Sequence, residues 1–236
     1  MGRLTAVGDT LLLDLGGKSV EIRIKRSAVS RRMSLRIDPA VGAVMVLPHR
    51  ASLAEAGRFA AEHRIWLAER LARLPERMPF VPGIRVPLLG VEHVIVHEPA
   101  ARRGVWVEDG TIRVSGREEH VPRRVADFLK AEAKRVILPL AHELAARIEC
   151  KPGRISVKDT RSRWGSCSAR GDLAFSWRLA LAPDWVMTYV VAHEVAHLAE
   201  MNHSAAFWTV VENLVGDFRR ARGWLKAHGA RLHRWG

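Results

Sequence analysis

The chain has 236 residues, of which 48% are apolar and 27% charged, a balance that excludes a disordered or fibrous protein and suits one or two globular domains. No apolar stretch approaches the ~20 residues that cross a bilayer, and the N-terminus lacks the parts of a secretory signal, so we expect a cytoplasmic protein with no membrane partner. The formal net charge of +13 favours a polyanionic partner such as DNA, although the arginine-rich composition of a GC-rich genome gives the same excess of solvated charge.

The first part of the chain is predicted to consist mainly of β-strands. Apolar and polar residues alternate over 20–25 and again over 33–37, which is the period of a half-buried strand. After a turn, the apolar run 44–47 predicts a third strand, and three short strands in succession favour an antiparallel meander. A single helix is predicted from a cap at Ser52 to about residue 74, because its apolar residues form one stripe.

Two more strand segments and one long helix are predicted next. Residues 91–96 and 105–114 have strand patterns, and the turn signal at Asp109-Gly110 divides the second segment into a hairpin. From 121 to 148 the apolar residues recur with helical spacing, and Pro139 is expected to kink this helix.

The last part of the chain mixes short strands with helices. Strands are predicted at 155–157 and 173–179, and a helix over 183–201 is followed by further helical sequence. No internal repeat is apparent in the sequence. These elements predict a mixed α+β fold, with an antiparallel β-rich part at 1–118 that holds one helix and a mainly helical part at 119–236.

The chemistry of the chain is concentrated in the predicted helix at 183–201, which contains His193-Glu194-Val195-Ala196-His197, an H-E-x-x-H motif. Residues four apart project from one face of a helix, so both imidazoles can bind one metal ion. Glu194 lies beside them, where it can take a proton from a water whose pKa zinc lowers from near 16 to about 7. The motif therefore predicts a zinc-dependent hydrolase with Glu194 as the general base.

A catalytic zinc site needs a third protein ligand, and His203 is the candidate. In a continuous helix the six residues from His197 to His203 would advance ~600° and ~9 Å, which carries His203 away from the ion. The helix must therefore end first. We expect a break near Met201-Asn202, because Asn tolerates the left-handed conformation that ends helices and Ser204 can cap the next helix.

The run 193–208 resembles the signature of the YgjP-like metal-dependent hydrolases, which are relatives of the SprT and WLM zinc metallopeptidases. Residues 163–168 and 177–179 also resemble landmarks of that family, and a looser similarity extends from about Ile22 to Trp224. The resemblance implies a zincin-like, gluzincin type of α+β fold, with 119–236 as the catalytic subdomain and Glu194 as the catalytic acidic residue. It also implies that three side chains hold Zn²⁺, namely His193, His197 and His203.

Other residues near the motif have both a functional and a structural interpretation. Cys167 is a nucleophile or, as we favour, a packed thiol, and Tyr189 either donates to an oxyanion or fills the core. Arg163 and Arg178 either orient an anionic group of a substrate or support the fold. The carboxylates nearest in sequence that could support a histidine ligand are Glu200 and Glu212.

The leading hypothesis is a zinc metallopeptidase that cleaves peptide or protein substrates, with an extended substrate paired to the predicted strand 173–179. The basic charge supports an alternative, a nucleic-acid-binding protein whose affinity falls steeply with salt. SprT and WLM proteins act on proteins attached to DNA, so the resemblance joins the two as a DNA-associated protease. A further alternative is a hydrolase of a non-peptide amide, because an H-E-x-x-H site does not determine which bond is cut.

Overall fold

The computed structural model describes residues 4–7, 10–15, 17, 19–38, 41–72, 77–160 and 163–236. The chain divides into two compact units, Met1–Glu76 and Arg77–Gly236. Strands and helices occur in both, so the fold is α+β. Within the described ranges, no helix is long and apolar enough to cross a membrane.

The first unit is a five-stranded sheet followed by two helices. Its strands are β1 (Leu4–Val7), β2 (Thr10–Asp14), β3 (Ser19–Ser27), β4 (Ser34–Asp38) and β5 (Gly42–Pro48). Its helices are α1 (Leu53–Glu62) and α2 (Arg64–Ala72). The strand order is β1-β2-β3-β5-β4, with β3 and β5 parallel and the other neighbours antiparallel.

The predicted antiparallel meander is wrong, because β5 lies between β3 and β4 and runs parallel to β3. Ala43, Val44, Met45 and Leu47 of β5 are buried, and such a continuous apolar run is typical of a central strand next to a parallel neighbour. By contrast, β4 alternates with exposed polar residues, including Arg36, and takes the edge of the sheet.

The single predicted helix is two helices, since α1 ends at Glu62, His63 forms its C-cap, and α2 begins at Arg64. The predicted start is confirmed, because the Ser52 side chain accepts from the backbone N–H of Glu55 and the Glu55 carboxylate accepts from the backbone N–H of Ser52. The predicted end near residue 74 lies outside the described residues.

The second unit opens with a four-stranded sheet that repeats the topology of the first. Its strands are β6 (Arg85–Leu88), β7 (Val91–Glu98), β8 (Val105–Glu108) and β9 (Thr111–Ser115), in the order β6-β7-β9-β8. As with β2-β3-β5-β4, a hairpin is followed by a parallel neighbour and an antiparallel edge strand. The predicted hairpin turn is confirmed, with Asp109 at φ 47° and Gly110 at φ 69°.

The rest of the second unit carries the H-E-x-x-H motif. The long helix α3 (Val121–Arg147) runs through Pro139 and precedes a three-stranded sheet. This sheet contains β10 (Ile155–Lys158), β11 (Gly165–Cys167) and β12 (Leu173–Ser176). A short 3₁₀ helix (Trp177–Leu181) leads into the last three helices, α4 (Asp184–Ala196), α5 (Ala205–Val215) and α6 (Arg219–Leu232).

The prediction that the strand at 173–179 receives the substrate is wrong. This strand, β12, is central in the sheet, parallel to β10 on one side and antiparallel to β11 on the other. Both rows of its backbone groups are thus used within the sheet. In the described part of the chain, β11 pairs with β12 alone, so the outer edge of β11 carries no strand.

The division of the chain also differs from the predicted boundary at 118/119. Ile95 and Ile112 of the four-stranded sheet share one buried cluster with Leu129 of α3 and Val190 of α4. A sheet must cover its apolar face, and this one packs against the helices that follow it in sequence. The strands between Arg85 and Ser115 therefore belong to the same unit as the H-E-x-x-H helix.

Candidate metal centre

The helix α4 is held firmly in the core of the second unit. Most of its residues are buried, including Val186, Val190 and Val191. It ends at Ala196, so His197 lies at the C-cap, and the expected break near residues 201–202 comes about five residues earlier. Over 197–200 the chain turns, with the Glu200 N–H donating to the Ala196 carbonyl at 2.9 Å.

The early end of α4 lets His203 return to the two histidines of the motif. Candidate ligand nitrogens of His193, His197 and His203 all lie within 4.8 Å of one another. Nε2 of His203 is 3.1 Å from Nε2 of His193. As expected, Ser204 caps the following helix, accepting from the Phe207 N–H at 3.3 Å.

One hydrogen bond determines which nitrogen of His197 faces the cluster. Nδ1 of His197 lies 3.0 Å from the Glu200 carbonyl oxygen, which only accepts, so Nδ1 carries the proton and donates. Nε2 of His197 is then unprotonated and available as a ligand. Glu200, predicted to supply a carboxylate, supports the ring through its backbone carbonyl instead.

Aromatic packing holds the three imidazoles in place. Phe207 of α5 is fully buried, and its ring centroid lies 4.9, 4.5 and 4.8 Å from those of His193, His197 and His203 respectively. Trp208 packs beside His193 and His203, both at 5.8 Å. The rings are therefore oriented by packing before any ligand is bound.

The three-histidine cluster fits a divalent metal ion. With zinc–nitrogen bonds of about 2.1 Å in a tetrahedron, two ligand nitrogens lie ~3.4 Å apart, close to the 3.1 Å between Nε2 of His193 and of His203. Burial, followed by the charges of His197 and His203, lowers the pKa of His193 to about 4. The pKa of His203 is lowered as well, chiefly by burial. Both shifts favour the neutral form of these two imidazoles, which is the form that binds a metal ion.

Glu194 lies next to the cluster in a nearly dry environment. The residue is only 7% exposed, and burial raises the pKa of its carboxyl group to about 7, against the opposing effect of the Arg163 charge. A carboxyl group with a pKa near the working pH is well suited to proton transfer in either direction.

Gly165 of β11 makes room for the Glu194 side chain. A Cβ at Gly165 would lie 2.6 Å from Oε1 and 2.7 Å from Cδ of Glu194. These distances are too short for any other residue without moving the carboxylate. In the sequence, Gly165 stands out only as part of a family landmark, because a lone glycine gives no signal for such a contact.

His193 and Glu194 open onto a cleft of about 220 Å³. The other lining residues come from the start of β11, from α4 and from α6, and they are Arg163, Trp164, Gly165, Tyr189, Val190 and Leu225. Of the residues with two interpretations, Tyr189 is buried and stacks on Phe218 at 6.1 Å, as a core residue does, and it also lines this cleft. Donation to an oxyanion stays a prediction. Arg163 is exposed in the cleft.

The contacts of the remaining candidate residues indicate structural roles and not catalytic ones. Arg178 is 4% exposed, forms an ion pair with Asp159 and donates to the Trp235 carbonyl at 3.3 Å, which supports its structural interpretation. Burial, followed by the charges of Glu194 and Asp172, raises the pKa of the Cys167 thiol, as expected for a packed thiol rather than a nucleophile. The Glu212 carboxylate lies 3.3 Å from Arg219 instead of supporting a histidine.

Arg222 is a site residue that the sequence analysis missed. It stands over the Trp208 ring at 5.2 Å, and its charge contributes to lowering the pKa of His193 and His203. At Tyr189 the same charge opposes burial, which raises the pKa of that phenol. Its only signal in the sequence was its place among the other arginines of the C-terminal segment.

A model of the YgjP-like metallopeptidase domain matches residues 31–228. The chain belongs to the YgjP-like metallopeptidase family. A metallopeptidase needs a divalent metal ion, and His193, His197 and His203 form the group of the described residues that could hold one. The resemblance drawn from residues 193–208 is thereby confirmed at the level of the family.

Two crystal structures of other metallopeptidases resemble parts of this YgjP-like chain. The zymogen of Pyrococcus abyssi abylysin is 22% identical, with 42% of this chain and 93% of that one covered and a TM-score of 0.34. The zymogen of Methanocaldococcus jannaschii jannalysin is 18% identical, with 39% and 92% covered and a TM-score of 0.34. No curated protein matches the sequence.

Proposed function

We propose that this YgjP-like protein is a zinc-dependent metallopeptidase that hydrolyses peptide bonds, with Glu194 as the general base. One observation carries the proposal: three imidazoles converge beside a buried carboxylate, and His193 and Glu194 open onto one cleft. Three protein ligands leave a fourth position open, which is typical of catalytic rather than structural zinc. The side chains that would hold the ion are His193, His197 and His203.

A zinc ion bound there would polarise the substrate carbonyl and acidify water at neutral pH. Glu194 would take a proton from the attacking water and pass it to the leaving amine. Its raised pKa supports both steps, because a carboxylate that binds a proton near neutral pH also releases it readily. Because Gly165 has no side chain, the Glu194 carboxylate can lie next to β11, where the substrate is expected.

We infer that an extended peptide pairs with the outer edge of β11. The Trp164 carbonyl accepts from the Ser176 N–H, and the Ser168 N–H donates to the Asp172 carbonyl, each at 2.9 Å. Residues 164 and 168, and the residue midway between them, therefore direct their backbone N–H and C=O groups to β12. The residues that alternate with these, such as Gly165, direct theirs to the outer edge of β11. A bound peptide would therefore run past Glu194.

The decisive experiment compares metal content and peptide hydrolysis in untagged protein and two variants. The wild type should hold about one zinc per chain and cleave peptides, as a single H-E-x-x-H site requires. Glu194→Gln should keep the zinc and lose hydrolysis, and His203→Ala should lose both. Hydrolysis that survives Glu194→Gln would exclude the proposed mechanism, and turnover of other amides without peptides would favour the non-peptide alternative.

A polyanionic partner such as DNA remains a second proposal, supported by the surface of α6. Within the residues that the structure describes, α6 carries no acidic side chain, and its exposed basic residues are Arg219, Arg220, Arg222, Lys226 and Arg231. Titration with duplex DNA at rising salt tests this proposal, since phosphate contacts make affinity fall steeply with salt. Absent or salt-independent binding would reject it.

A further inference from the structure

A cavity of about 720 Å³ borders α6 and shares no lining residue with the cleft at the metal centre. Trp224, His228 and Arg231 of α6 line this cavity, and residues spaced three or four apart lie on one face of a helix. Leu225, one position after Trp224, lines the cleft at the metal centre instead. Different faces of α6 therefore border two separate spaces. We call the larger of these two the α6 cavity.

The four-stranded sheet supplies another wall of the α6 cavity. Val86 and Leu88 of β6 are buried in the core. Because side chains alternate between the faces of a strand, Arg85 and Pro87 project from the other face, where they line the cavity. Glu92 of β7 is in register with Pro87 and lines the cavity as well.

The α6 cavity carries an excess of positive charge. Among the described residues of its lining, three arginines (Arg85, Arg231 and Arg234) and His228 stand against one acid, Glu92. Arg85 and Arg231 are exposed, and across the described ranges neither has an ion-pair partner. A guanidinium group matches the geometry of a phosphate, so these two side chains favour a phosphorylated ligand.

The rest of the lining is suited to an apolar group. Trp224 is half-buried and lines the cavity with apolar side chains that include Ile84, Leu181 and Leu232. The volume lies within the ~300–1,000 Å³ that is typical of sites for small molecules. A ligand that combines a flat aromatic group with a phosphate would use both parts of this lining.

We propose that the α6 cavity binds a nucleoside phosphate, with the base against Trp224 and the phosphate at Arg85 and Arg231. Bases stack on tryptophan rings whatever their sequence, and the amino groups that several bases carry can donate to a carboxylate such as Glu92. The proposal does not depend on peptide hydrolysis, because the cavity contains none of the residues of the metal centre.

The experiment is calorimetric titration of the untagged, zinc-loaded protein with adenosine 5′-monophosphate, with adenosine and with inorganic phosphate. The nucleotide should bind about tenfold more tightly than either part alone, because only the nucleotide gains both stacking and phosphate contacts. Arg85→Gln and Arg231→Gln should each weaken nucleotide binding by about three- to tenfold. The matched control is Lys226→Gln, which removes an exposed charge of α6 outside the cavity and should leave the affinity unchanged.

Two further variants test where the nucleotide binds. Trp224→Leu should reduce the affinity for the nucleotide towards that for inorganic phosphate, because it removes the stacking surface and keeps the arginines. His203→Ala should leave nucleotide binding unchanged, since His203 belongs to the metal centre and not to the α6 cavity. Loss of binding in His203→Ala would assign the phosphate to the zinc site and overturn the proposal.

A nucleotide that binds no more tightly than inorganic phosphate would also overturn it, as would equal weakening by Arg231→Gln and Lys226→Gln, which reflects only the overall charge of α6. A 5′-phosphorylated single-stranded oligonucleotide identifies the source of the ligand. Tighter binding than the mononucleotide, with the same dependence on Arg231, assigns the cavity to the end of a nucleic acid, and weaker binding assigns it to the free nucleotide.

Discussion

Gly165 of β11 lies directly against the side chain of Glu194. The Cβ of any other residue at this position would collide with the Glu194 carboxylate. A Cβ at Gly165 would come within 2.6 Å of Glu194 Oε1. The position of the proposed general base thus depends on a residue that lies outside the H-E-x-x-H motif and has no reactive group of its own.

Gly165→Ala should impair catalysis without removing the metal, because the added methyl group displaces the Glu194 carboxylate, which is not one of the proposed metal ligands. A misplaced general base costs about 100-fold or more in kcat. The measurement is kcat on a cleaved peptide together with zinc content. Gly223→Ala is the control, since nothing lies within 4 Å of a Cβ at Gly223. Full activity in Gly165→Ala would contradict the proposed positioning.

Phe207→Ala should weaken both the fold and metal binding. Phe207 is fully buried and contacts all three imidazoles, so truncation opens a cavity and frees the rings. Loss of a buried Phe costs about 3–5 kcal/mol in the free energy of unfolding. Denaturant unfolding of the metal-free protein and zinc titration measure the two effects, and Phe207→Leu, which keeps most of the volume, should lose less of each. Unchanged zinc affinity in a folded Phe207→Ala variant would show that the aromatic packing is not needed for the site.

Removal of zinc should lower the Tm of the protein, and this change should depend only on the three-histidine cluster. Zinc at a hundredfold excess over its Kd stabilises a folded site by about 2.7 kcal/mol, or roughly 5–10 °C for a chain of this size. His203 is exposed, so His203→Ala should leave the metal-free Tm unchanged and abolish the rise on adding zinc. His142→Ala, an exposed histidine of α3 within the sequence His142-Glu143-Leu144-Ala145-Ala146, should retain the full rise. A zinc response that survives in His203→Ala would move the metal elsewhere.

Asp159→Ala should destabilise the protein more than the loss of an ordinary surface charge. It removes the carboxylate that pairs with the buried guanidinium of Arg178, leaving that charge with less compensation. The expected cost is about 1–3 kcal/mol, below the value for a fully buried pair because Asp159 is partly exposed. Asp127→Ala, whose ion pairs with Arg123 and Lys130 are exposed, should cost less than about 1 kcal/mol. Equal midpoints in urea for the two variants would refute the structural role of Arg178.

Local geometry explains which predictions from the sequence were confirmed. His193 and His197, four residues apart, project from one helical face with Glu194 beside them whatever that helix packs against, because helix geometry is set within one turn. The capping box at Ser52 and the hairpin turn at Asp109-Gly110 are equally local, since a side-chain hydrogen bond or a positive φ specifies each. The need for a helix break before His203 followed from the same arithmetic.

Residue patterns were enough to predict the H-E-x-x-H helix, most of the strands and the family to which the chain belongs. Tertiary structure decided that α4 ends at Ala196, that β5 and β12 are central strands, and that Gly165 meets Glu194. Each of these depends on partners far apart in the chain, such as β11 against α4. Residue patterns report which face of an element is buried, but the choice of the covering element is made only when the whole core assembles.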